Sequence, residues 1–320
     1  MRAGVTERVS DDVDRQQVLI MTAPGQGAQN PGFLAPWLEV PGFEARLAGW
    51  AELTGVDLIR MGTKADADEI TDTANAQPLL VATALLVAGQ LAAPAAVAGH
   101  SVGEFAVGAV AGVLSPEDSI RLSGVRGRAM ARATRASPTG MTAVLGGAEA
   151  AVLAAIEEHG LTLANVNAPG HVVVGGTRAQ LEALAARPPT GARLRPLRVA
   201  GAFHTAHMAP AVAALTAETA GITVRNPAVT LLSNRDGAVV TSGKDWLDRI
   251  TSQVAAPVRW DLCMETMATL GVTALLELPP AGTLTGLARR ALPGVRLLAL
   301  NAPDQLDSAR RLIAESVTPG

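Results

Sequence analysis

The chain is poor in several residue types, and each shortage excludes a class of protein. Its 320 residues include one cysteine, Cys263, which excludes an internal disulfide and a metal cluster held by cysteines. Tyrosine is absent and aromatic residues make up only 2% of the chain, so the core has to be built mainly from Ala, Val and Leu. Among 26 basic residues the lysines are Lys64 and Lys244, and the net charge of −3 argues against a nucleic-acid-binding protein.

Long apolar runs are also missing. The most apolar stretch covers residues 78–88 and ends at Gly89, so it is too short to cross a bilayer and predicts a buried helix. Residues 1–17 are polar and charged, without the apolar segment of a signal peptide, and we expect them to form a disordered leader. Together these features predict a cytoplasmic protein that does not bind membranes.

The order of apolar and helical segments indicates an α/β protein. A strand at 18–22 runs into the glycine-rich loop 24–27, and helices then alternate with short apolar strands as far as residue 136. This alternation predicts a large α/β-hydrolase-like domain with a short parallel sheet.

A second pattern interrupts this alternation. The elements predicted there are 141–145, 148–159, 161–165, 171–175, 178–186 and 193–199. Their order is strand, helix, strand, strand, helix, strand, which is typical of a ferredoxin-like βαββαβ unit. We therefore expect a small domain at 137–200, inserted into a large domain formed by 18–136 and 201–317.

The segment GHSVG at 99–103 is the strongest candidate for a chemical site. It follows an apolar run and precedes a helix-forming segment, and it places a glycine two residues before and two residues after Ser101. This pattern is typical of a nucleophile elbow, a tight strand-to-helix turn in which a larger side chain at either glycine would collide with its neighbours. The turn exposes the serine hydroxyl and directs the first amides of the helix toward the group that it attacks.

A serine nucleophile needs a base within hydrogen-bond reach, and the chain has only five histidines. His204 lies where the chain returns from the inserted unit to the large domain, a position that lines a cleft. His159 fits a structural role at the C-terminus of a helix, and His207 has no evident partner, so we interpret both as structural. His204 is therefore the candidate base.

Seven short segments extend the pattern along the chain. They are APGQGAQ at 23–29, AQP at 76–78, GHSVGE at 99–104, RG at 126–127, NVNAPG at 165–170, AFHT at 202–205 and PVRW at 257–260. In this order the chain, from Val18 to Leu300, resembles the malonyl-CoA:acyl carrier protein transacylase family. These acyltransferases serve bacterial fatty-acid and polyketide synthesis, and the similarity is closest to the stand-alone actinobacterial form.

The resemblance implies a ping-pong acyl transfer. Ser101 takes the malonyl group from malonyl-CoA, and the phosphopantetheine thiol of an acidic acyl carrier protein then takes it from the serine. His204 acts as acid and base, and the backbone carbonyl of Gln253 orients its ring, so no essential acid is expected between Ser101 and His204 in the sequence. The backbone amides of Gln26 and Val102 form the implied oxyanion hole.

The resemblance also implies how the acyl group is recognised. Arg126 offers a planar fork that binds the malonyl carboxylate through two parallel hydrogen bonds. Phe203 narrows the pocket, since polyketide acyltransferases with AFH here select malonyl and those with ASH select methylmalonyl, although a packing role for Phe203 stays open. The other implied pocket residues are Gln77, His100 and Asn167. No metal or bound cofactor is implied, and the family is commonly monomeric.

Two segments depart from the family pattern. His171 stands where the family usually has glutamine, and LPPAG at 278–282 replaces the usual VGPG turn. We expect both to lie away from the reaction centre and to affect substrate handling. An arginine-lined rim for the acidic carrier is also expected, and its candidates are Arg193, Arg195, Arg289 and Arg290.

Two other readings of the sequence stay open. An α/β-hydrolase such as an esterase or thioesterase shares the GxSxG turn, but it uses an acid between serine and histidine and an HGGG-type loop, which is not visible here. A non-catalytic module that only docks a carrier protein is the other alternative. The joint presence of four residues argues against it: Ser101, His204, Arg126 and Gln26.

Overall fold

The computed structural model describes residues 17–317. All but the last residue of the predicted disordered leader lies outside the described residues. The strands are β1 Val18–Ala23, β2 Ala96–Gly99, β3 Thr139–Gly146, β4 Thr162–Ala168, β5 His171–Thr177, β6 Ala192–Pro196, β7 Thr230–Leu232, β8 Val239–Val240, β9 Val258–Arg259, β10 Val272–Glu277 and β11 Arg296–Ala299.

Helices pack against the two sheets that these strands form. The α-helices are α1 Phe43–Thr54, α2 Leu58–Thr63, α3 Ala67–Thr71, α4 Thr73–Ala88, α5 Gly103–Val110, α6 Pro116–Ala136, α7 Glu149–Glu158, α8 Arg178–Ala186, α9 Ala209–Thr219, α10 Gly243–Ser252, α11 Trp260–Thr269, α12 Thr283–Ala291 and α13 Leu306–Val317. Short 3-10 helices cover Ala35–Glu39, Ala206–Met208, Gln253–Ala255 and Pro303–Gln305. No helix in this part of the chain is long and apolar enough to cross a membrane.

The first sheet has six strands in the order β11-β10-β1-β2-β7-β8. Its neighbours pair in parallel except for β7 and β8, which are antiparallel. β1 and β2 are buried and apolar, as strands covered on both faces are. Because Ala23 pairs with Gly99, β1 and β2 end at the same edge of the sheet. The glycine-rich loop 24–27 and the turn that carries Ser101 therefore lie side by side.

The second sheet has five strands in the order β6-β3-β5-β4-β9. Four of them come from the segment predicted to have the βαββαβ order, and they pair antiparallel. The fifth, β9, comes from residues 258–259 and pairs in parallel with β4. β3 is longer than the predicted 141–145, whereas β6 ends at Pro196 and not at residue 199.

Two core clusters lie on the two faces of the first sheet, with the fully buried Trp37 and Trp246 in one and Trp260 in the other, and a third cluster lies between the second sheet and the helices α7 and α8. The apolar run 78–88 lies in α4, which is buried on almost every side, as the sequence predicts. α6 packs on α4, and Gly127 permits the close approach because a Cβ there would lie 2.7 Å from the carbonyl oxygen of Thr73.

Candidate active site

The turn after β2 holds Ser101 in an unusual backbone conformation. Its φ is +53°, a left-handed value that residues with a side chain rarely adopt. The flanking glycines are required by space, since a Cβ at Gly99 would overlap the backbone of Gly103, and a Cβ at Gly103 would overlap the carbonyl of Ala23. The turn therefore presses α5 against the ends of β1 and β2, with the serine at its tip.

Asn234, just after β7, fastens this turn from the neighbouring strand. Its Oδ1 accepts a hydrogen bond of 2.7 Å from the amide of Ser101, and its Nδ2 donates one of 2.7 Å to the carbonyl of Gly99. The two bonds bracket His100 and hold both ends of the strained turn. This observation explains how a non-glycine residue keeps a positive φ here.

Ser101 and His204 form a hydrogen-bonded pair. The Oγ of Ser101 lies 2.8 Å from Nε2 of His204, and Nδ1 of the same ring lies 2.9 Å from the carbonyl oxygen of Gln253. Because a carbonyl only accepts, the proton resides on Nδ1 and leaves Nε2 free to accept the serine proton. Burial, with the charge of Arg126 adding to it, lowers the pKa of His204 to about 3, so its imidazole is neutral at pH 7.

Arg126 is a buried cation that has no carboxylate partner among the described residues. Its side chain is 1% exposed, its Nη1 donates to Oε1 of Gln77 at 2.8 Å, and its Nη2 donates to Oγ of Ser101 at 3.1 Å. Its Nε has no acceptor, and it forms no ion pair with any described acid. Burial lowers the pKa of Arg126 to about 10, so it stays charged, and a buried charge of this kind is costly unless an anion joins it.

Two backbone amides beside the serine are free to donate. Among residues 17–317, neither Gln26 N nor Val102 N donates to an acceptor. Gln26 lines the same pocket as Ser101, and its side chain is held by Thr71 O and by Thr73 Oγ1, both at 3.2 Å. Val102 directly follows the serine and begins α5. Such a pair of donors next to a nucleophile suits a developing oxyanion.

The serine lies in a small cavity of about 70 Å³. Its lining residues are Gln26, Gln77, His100, Ser101, Arg126, Met130, Met141, Asn165, Leu197, Val199, Phe203 and His204. A larger cleft of about 580 Å³ shares Gln26, His100, Asn165, Leu197 and Val199 with it, so the two adjoin. The site therefore consists of a small pocket lined by polar and apolar side chains, and a wide cleft adjoins it.

Comparison with known proteins decides the family. An acyl transferase domain matches residues 22–306. The chain is 48% identical over 302 residues to the malonyl CoA-acyl carrier protein transacylase of Mycobacterium tuberculosis, a match that covers 92% of this chain and all of that protein. The chain belongs to the acyl transferase family. The resemblance seen in the sequence is thereby confirmed.

Solved structures of this family have the same fold. The crystal structure of MCAT from Mycobacterium tuberculosis matches with a TM-score of 0.90 at 48% identity, over 92% of this chain and all of that one. A second match comes from the structure of a type II PKS acyl-carrier protein in complex with its malonyl-transacylase. The matching chain of that structure has a TM-score of 0.85 and 29% identity, and the match covers 92% of this chain and 99% of the matching chain. The mixed α/β architecture is thus that of the acyl transferases.

The structure brings most of the residues predicted for this family together. Those that line the pocket are Ser101, His204, Arg126, Gln26, Gln77, His100 and Phe203. Asn167 lies in the adjoining cleft, where its Oδ1 is 3.1 Å from Nε2 of His100. Gln253 lies behind His204 and contributes its carbonyl.

The segments that depart from the family pattern and the arginines predicted for the rim do not lie together in the structure. His171 is half-buried in the cleft beside Arg290, whose charge adds to burial in lowering the pKa of the imidazole. The segment 278–282 lines neither the pocket nor the cleft. Of the predicted rim, only Arg290 lines the cleft, and Arg193 lines a separate cavity beside β3, β6 and α8.

Several residues of the site escaped the sequence reasoning. Asn234 is one of them. The sequence signal that could have indicated it is the polar dipeptide Ser233-Asn234, which directly follows the apolar strand β7. Asn165 is another, because its buried Oδ1 has no hydrogen-bond partner and lies in the pocket wall. Within residues 17–317, no three His, Cys, Asp or Glu side chains are grouped to hold a metal ion.

Proposed function

We propose that this protein transfers the malonyl group of malonyl-CoA to the phosphopantetheine thiol of an acyl carrier protein, through a malonyl ester of Ser101. The observation that carries the proposal is the buried Arg126 guanidinium, which forms no ion pair with an acid in the described part of the chain and donates a hydrogen bond to Oγ of Ser101. The names of the relatives support it, as does the relative solved in complex with a type II PKS acyl-carrier protein.

In the first half-reaction, Oγ of Ser101 attacks the thioester carbonyl carbon while Nε2 of His204 takes the hydroxyl proton. The tetrahedral oxyanion accepts hydrogen bonds from the backbone amides of Gln26 and Val102, and one such donor lowers the barrier by about 3 kcal/mol. The C–S bond then breaks, and His204 returns the proton to the departing CoA thiolate. The product is a malonyl ester of Ser101.

The second half-reaction repeats these steps with a different thiol. Nε2 of His204 takes the proton of the carrier's phosphopantetheine thiol, whose sulfur attacks the ester carbonyl. The C–O bond to Ser101 breaks and the serine oxygen recovers the proton from His204. The Nδ1 bond to Gln253 O holds the ring in one orientation, and neither ring nitrogen of His204 is hydrogen-bonded to an acid among residues 17–317, so the pair works as a dyad.

The malonyl carboxylate is bound by Arg126. Nη2 exchanges its hydrogen bond to Ser101 for one to the carboxylate, and the unpartnered Nε can supply a second donor. Gln77 fixes the guanidinium plane from the other side through Nη1, and its own Nε2 lies 3.3 Å from Sδ of Met130. Phe203 closes the pocket near the acyl α-carbon and so favours malonyl over an α-branched group.

The wide cleft admits the pantetheine arm of either substrate. His100 and Asn167 form a polar pair there, and Arg198 and Arg290 supply positive charge. An acidic carrier protein is expected to dock at this mouth, with Arg193, Arg195 and Arg289 as further candidates for its rim. Cytoplasmic location and a monomeric state stay predictions.

We also propose the division into a large α/β-hydrolase-like domain, 18–136 and 201–317, and a small ferredoxin-like domain, 137–200. The largely parallel order of the first sheet supports the former, and the order β6-β3-β5-β4 supports the latter. β9 pairs across this division, so the small sheet takes one short strand from the large domain.

One experiment separates this function from a thioesterase and from a docking module. Protein mixed with radiolabelled malonyl-CoA in the absence of carrier should retain about one label per active site, because water discharges the ester slowly. Adding holo acyl carrier protein should move the label to the carrier within the mixing time. Rapid release of free malonate indicates a thioesterase, and no labelling of the protein indicates a non-catalytic module.

A further inference from the structure

Glu104 is a buried carboxyl group close to the nucleophile. It lies in the first turn of α5, three residues after Ser101, and is 1% exposed. Each of its oxygens accepts one hydrogen bond, and no described Lys, Arg or His forms an ion pair with it. Burial raises the pKa of Glu104 to about 8, with those hydrogen bonds and the charge of Arg126 opposing the rise.

One oxygen of Glu104 fixes the residue that fastens the serine turn. Oε1 accepts from the backbone amide of Asn234 at 3.0 Å, and the amide of Arg259 donates to the carbonyl of Asn234 at 2.7 Å. The backbone of Asn234 is therefore held on both sides. Its side chain is free to hold Ser101 N and Gly99 O, each at 2.7 Å.

The other oxygen fixes the residue that orients the base. Oε2 accepts from Nε2 of Gln253 at 2.7 Å, and the carbonyl of Gln253 accepts from Nδ1 of His204 at 2.9 Å. The two partners of Glu104 are 19 residues apart in sequence, on different elements. One carboxyl group thus joins the support of the nucleophile to the support of the base.

A role in fold stability alone does not account for this arrangement. Burying a carboxyl group is costly, and apolar replacements of buried charged groups are often neutral or stabilising. Glu277, another fully buried carboxyl, shows the contrast, because its oxygens accept from Gly282, Leu284 and Thr285 and cap the nearby α12. The bonds of Glu104 instead lead to both reacting side chains.

We propose that Glu104 is a positioning residue that sets the distance between Ser101 Oγ and His204 Nε2 by holding Asn234 and Gln253 at once. Glu104 lines neither the pocket nor the cleft, and its two hydrogen bonds go to Asn234 and Gln253 and not to His204, so Ser101 and His204 remain a dyad. The proposal nevertheless gives a role to an acid that lies between Ser101 and His204 in the sequence. This inference rests on the proposed function for its malonyl-CoA readout, although the position of the two side chains does not depend on the substrate.

The test measures the rate constant for Ser101 modification, per active site, with two reagents. Single-turnover labelling by malonyl-CoA reports the proposed reaction. Methanesulfonyl fluoride reports the reactivity of Ser101 independently of the malonyl group. The serine oxygen bonds to sulfur, fluoride leaves and His204 takes the hydroxyl proton. Titration of the final adduct counts the active sites, so unfolded protein does not lower the rate constant.

Glu104→Ala should lower both rate constants about 10- to 100-fold, as expected when reacting groups shift by a fraction of an ångström to an ångström. The malonyl-CoA concentration for half-maximal rate should not change. Glu104→Gln should stay within about 3-fold of the parent, because its amide oxygen accepts from Asn234 and its NH2 donates to a turned Gln253 side chain. Ile313→Ala, a core variant in α13, is the control for lost stability and should keep the parental rate constants.

Glu104→Ala at the parental rate per site, or Glu104→Gln as slow as Glu104→Ala, overturns the proposal. If Glu104→Ala does not fold, Gln253→Met decides, because it keeps the backbone carbonyl and removes the amide that Glu104 holds. Its rate constants should fall about 10-fold, and parental values overturn the proposal. If the parent reacts with methanesulfonyl fluoride but not with malonyl-CoA, the proposed function is wrong. The rate constants for sulfonylation of the parent and the variants then test the positioning role of Glu104 by themselves. A parent that reacts with neither contradicts both.

Discussion

Arg126 donates a hydrogen bond to the hydroxyl of Ser101 across 3.1 Å. In the proposed reaction, the cation that binds the malonyl carboxylate therefore contacts the oxygen to which the acyl group becomes attached. We propose that the malonyl carboxylate, two bonds beyond the ester carbonyl carbon, binds to the same guanidinium. The arrangement links recognition of malonyl to the nucleophile, and it leaves the guanidinium without an anion when a neutral acyl group is bound.

Arg126→Ala should damage malonyl transfer and spare the reaction of acetyl-CoA. Loss of one member of a buried charge pair costs about 2–5 kcal/mol, which corresponds to a fall of about 30-fold or more in kcat/KM for malonyl-CoA. The acetyl group has no carboxylate that Arg126 could bind, so the kcat/KM for acetyl-CoA should stay the same or rise. Steady-state rates with both thioesters check this difference.

Two variants control the Arg126 experiment. Arg126→Lys should recover only part of the malonyl rate, because an ammonium group cannot form two parallel hydrogen bonds. Arg132→Ala removes an exposed arginine from the same helix and should leave both rates unchanged. Equal losses for malonyl-CoA and acetyl-CoA in Arg126→Ala mean that Arg126 supports the fold or the CoA moiety.

His204→Ala should slow acylation and transfer to the carrier by about 10²–10⁴-fold, because one imidazole serves both half-reactions. Pre-steady-state labelling and discharge measure the two steps separately. Asp118→Ala is the matched control, since Asp118 lies between Ser101 and His204 in the sequence but at the N-terminus of α6, hydrogen-bonded to Ser115. An equal loss in Asp118→Ala contradicts the dyad.

The depressed pKa of His204 predicts how stability depends on pH. The imidazole has a pKa of about 3 in the folded protein, against about 6.5 in the unfolded chain. The unfolded state therefore binds more protons between these values, and the stability present above about pH 6.5 is lost as the pH falls toward 3. Chemical denaturation at pH 7 and pH 4.5 should show a larger loss for the parent than for His204→Gln. Equal losses contradict a buried, neutral imidazole.

Phe203→Ser should raise the turnover of methylmalonyl-CoA relative to malonyl-CoA. Phe203 is 6% exposed and lines the acyl pocket, so loss of its ring opens space near the α-carbon. A methyl-sized change in a pocket discriminates by about 1–3 kcal/mol, so the gain should be modest. Competition between the two thioesters gives the ratio directly. An unchanged ratio assigns Phe203 to packing alone.

The local part of this site was predictable from the sequence, because steric rules act over a few residues. Gly99 and Gly103 indicate a tight turn around Ser101. In the structure, a Cβ at either glycine would overlap neighbouring backbone atoms. The alternation of apolar strands and helices likewise predicts an α/β fold. Such signals lie within one stretch of chain and do not depend on how distant elements pair.

The supports of the site depend on that distant pairing. Asn234 reaches Ser101 only because β7 lies beside β2 in the parallel sheet, a neighbour relation between strands that are more than 130 residues apart. The bond between Glu104 and Gln253 spans 149 residues. β9, which extends the small sheet, has only two residues and no apolar pattern long enough to predict a strand.

The central claim is that malonyl transfer proceeds through an ester on Ser101. The most direct test is peptide mapping by mass spectrometry after the protein is mixed with malonyl-CoA at neutral pH and quenched in acid. The account predicts a malonyl adduct on the peptide that carries Ser101 in the parent, and none anywhere in Ser101→Ala, which should still fold. A malonyl adduct on another residue, or one retained by Ser101→Ala, contradicts it.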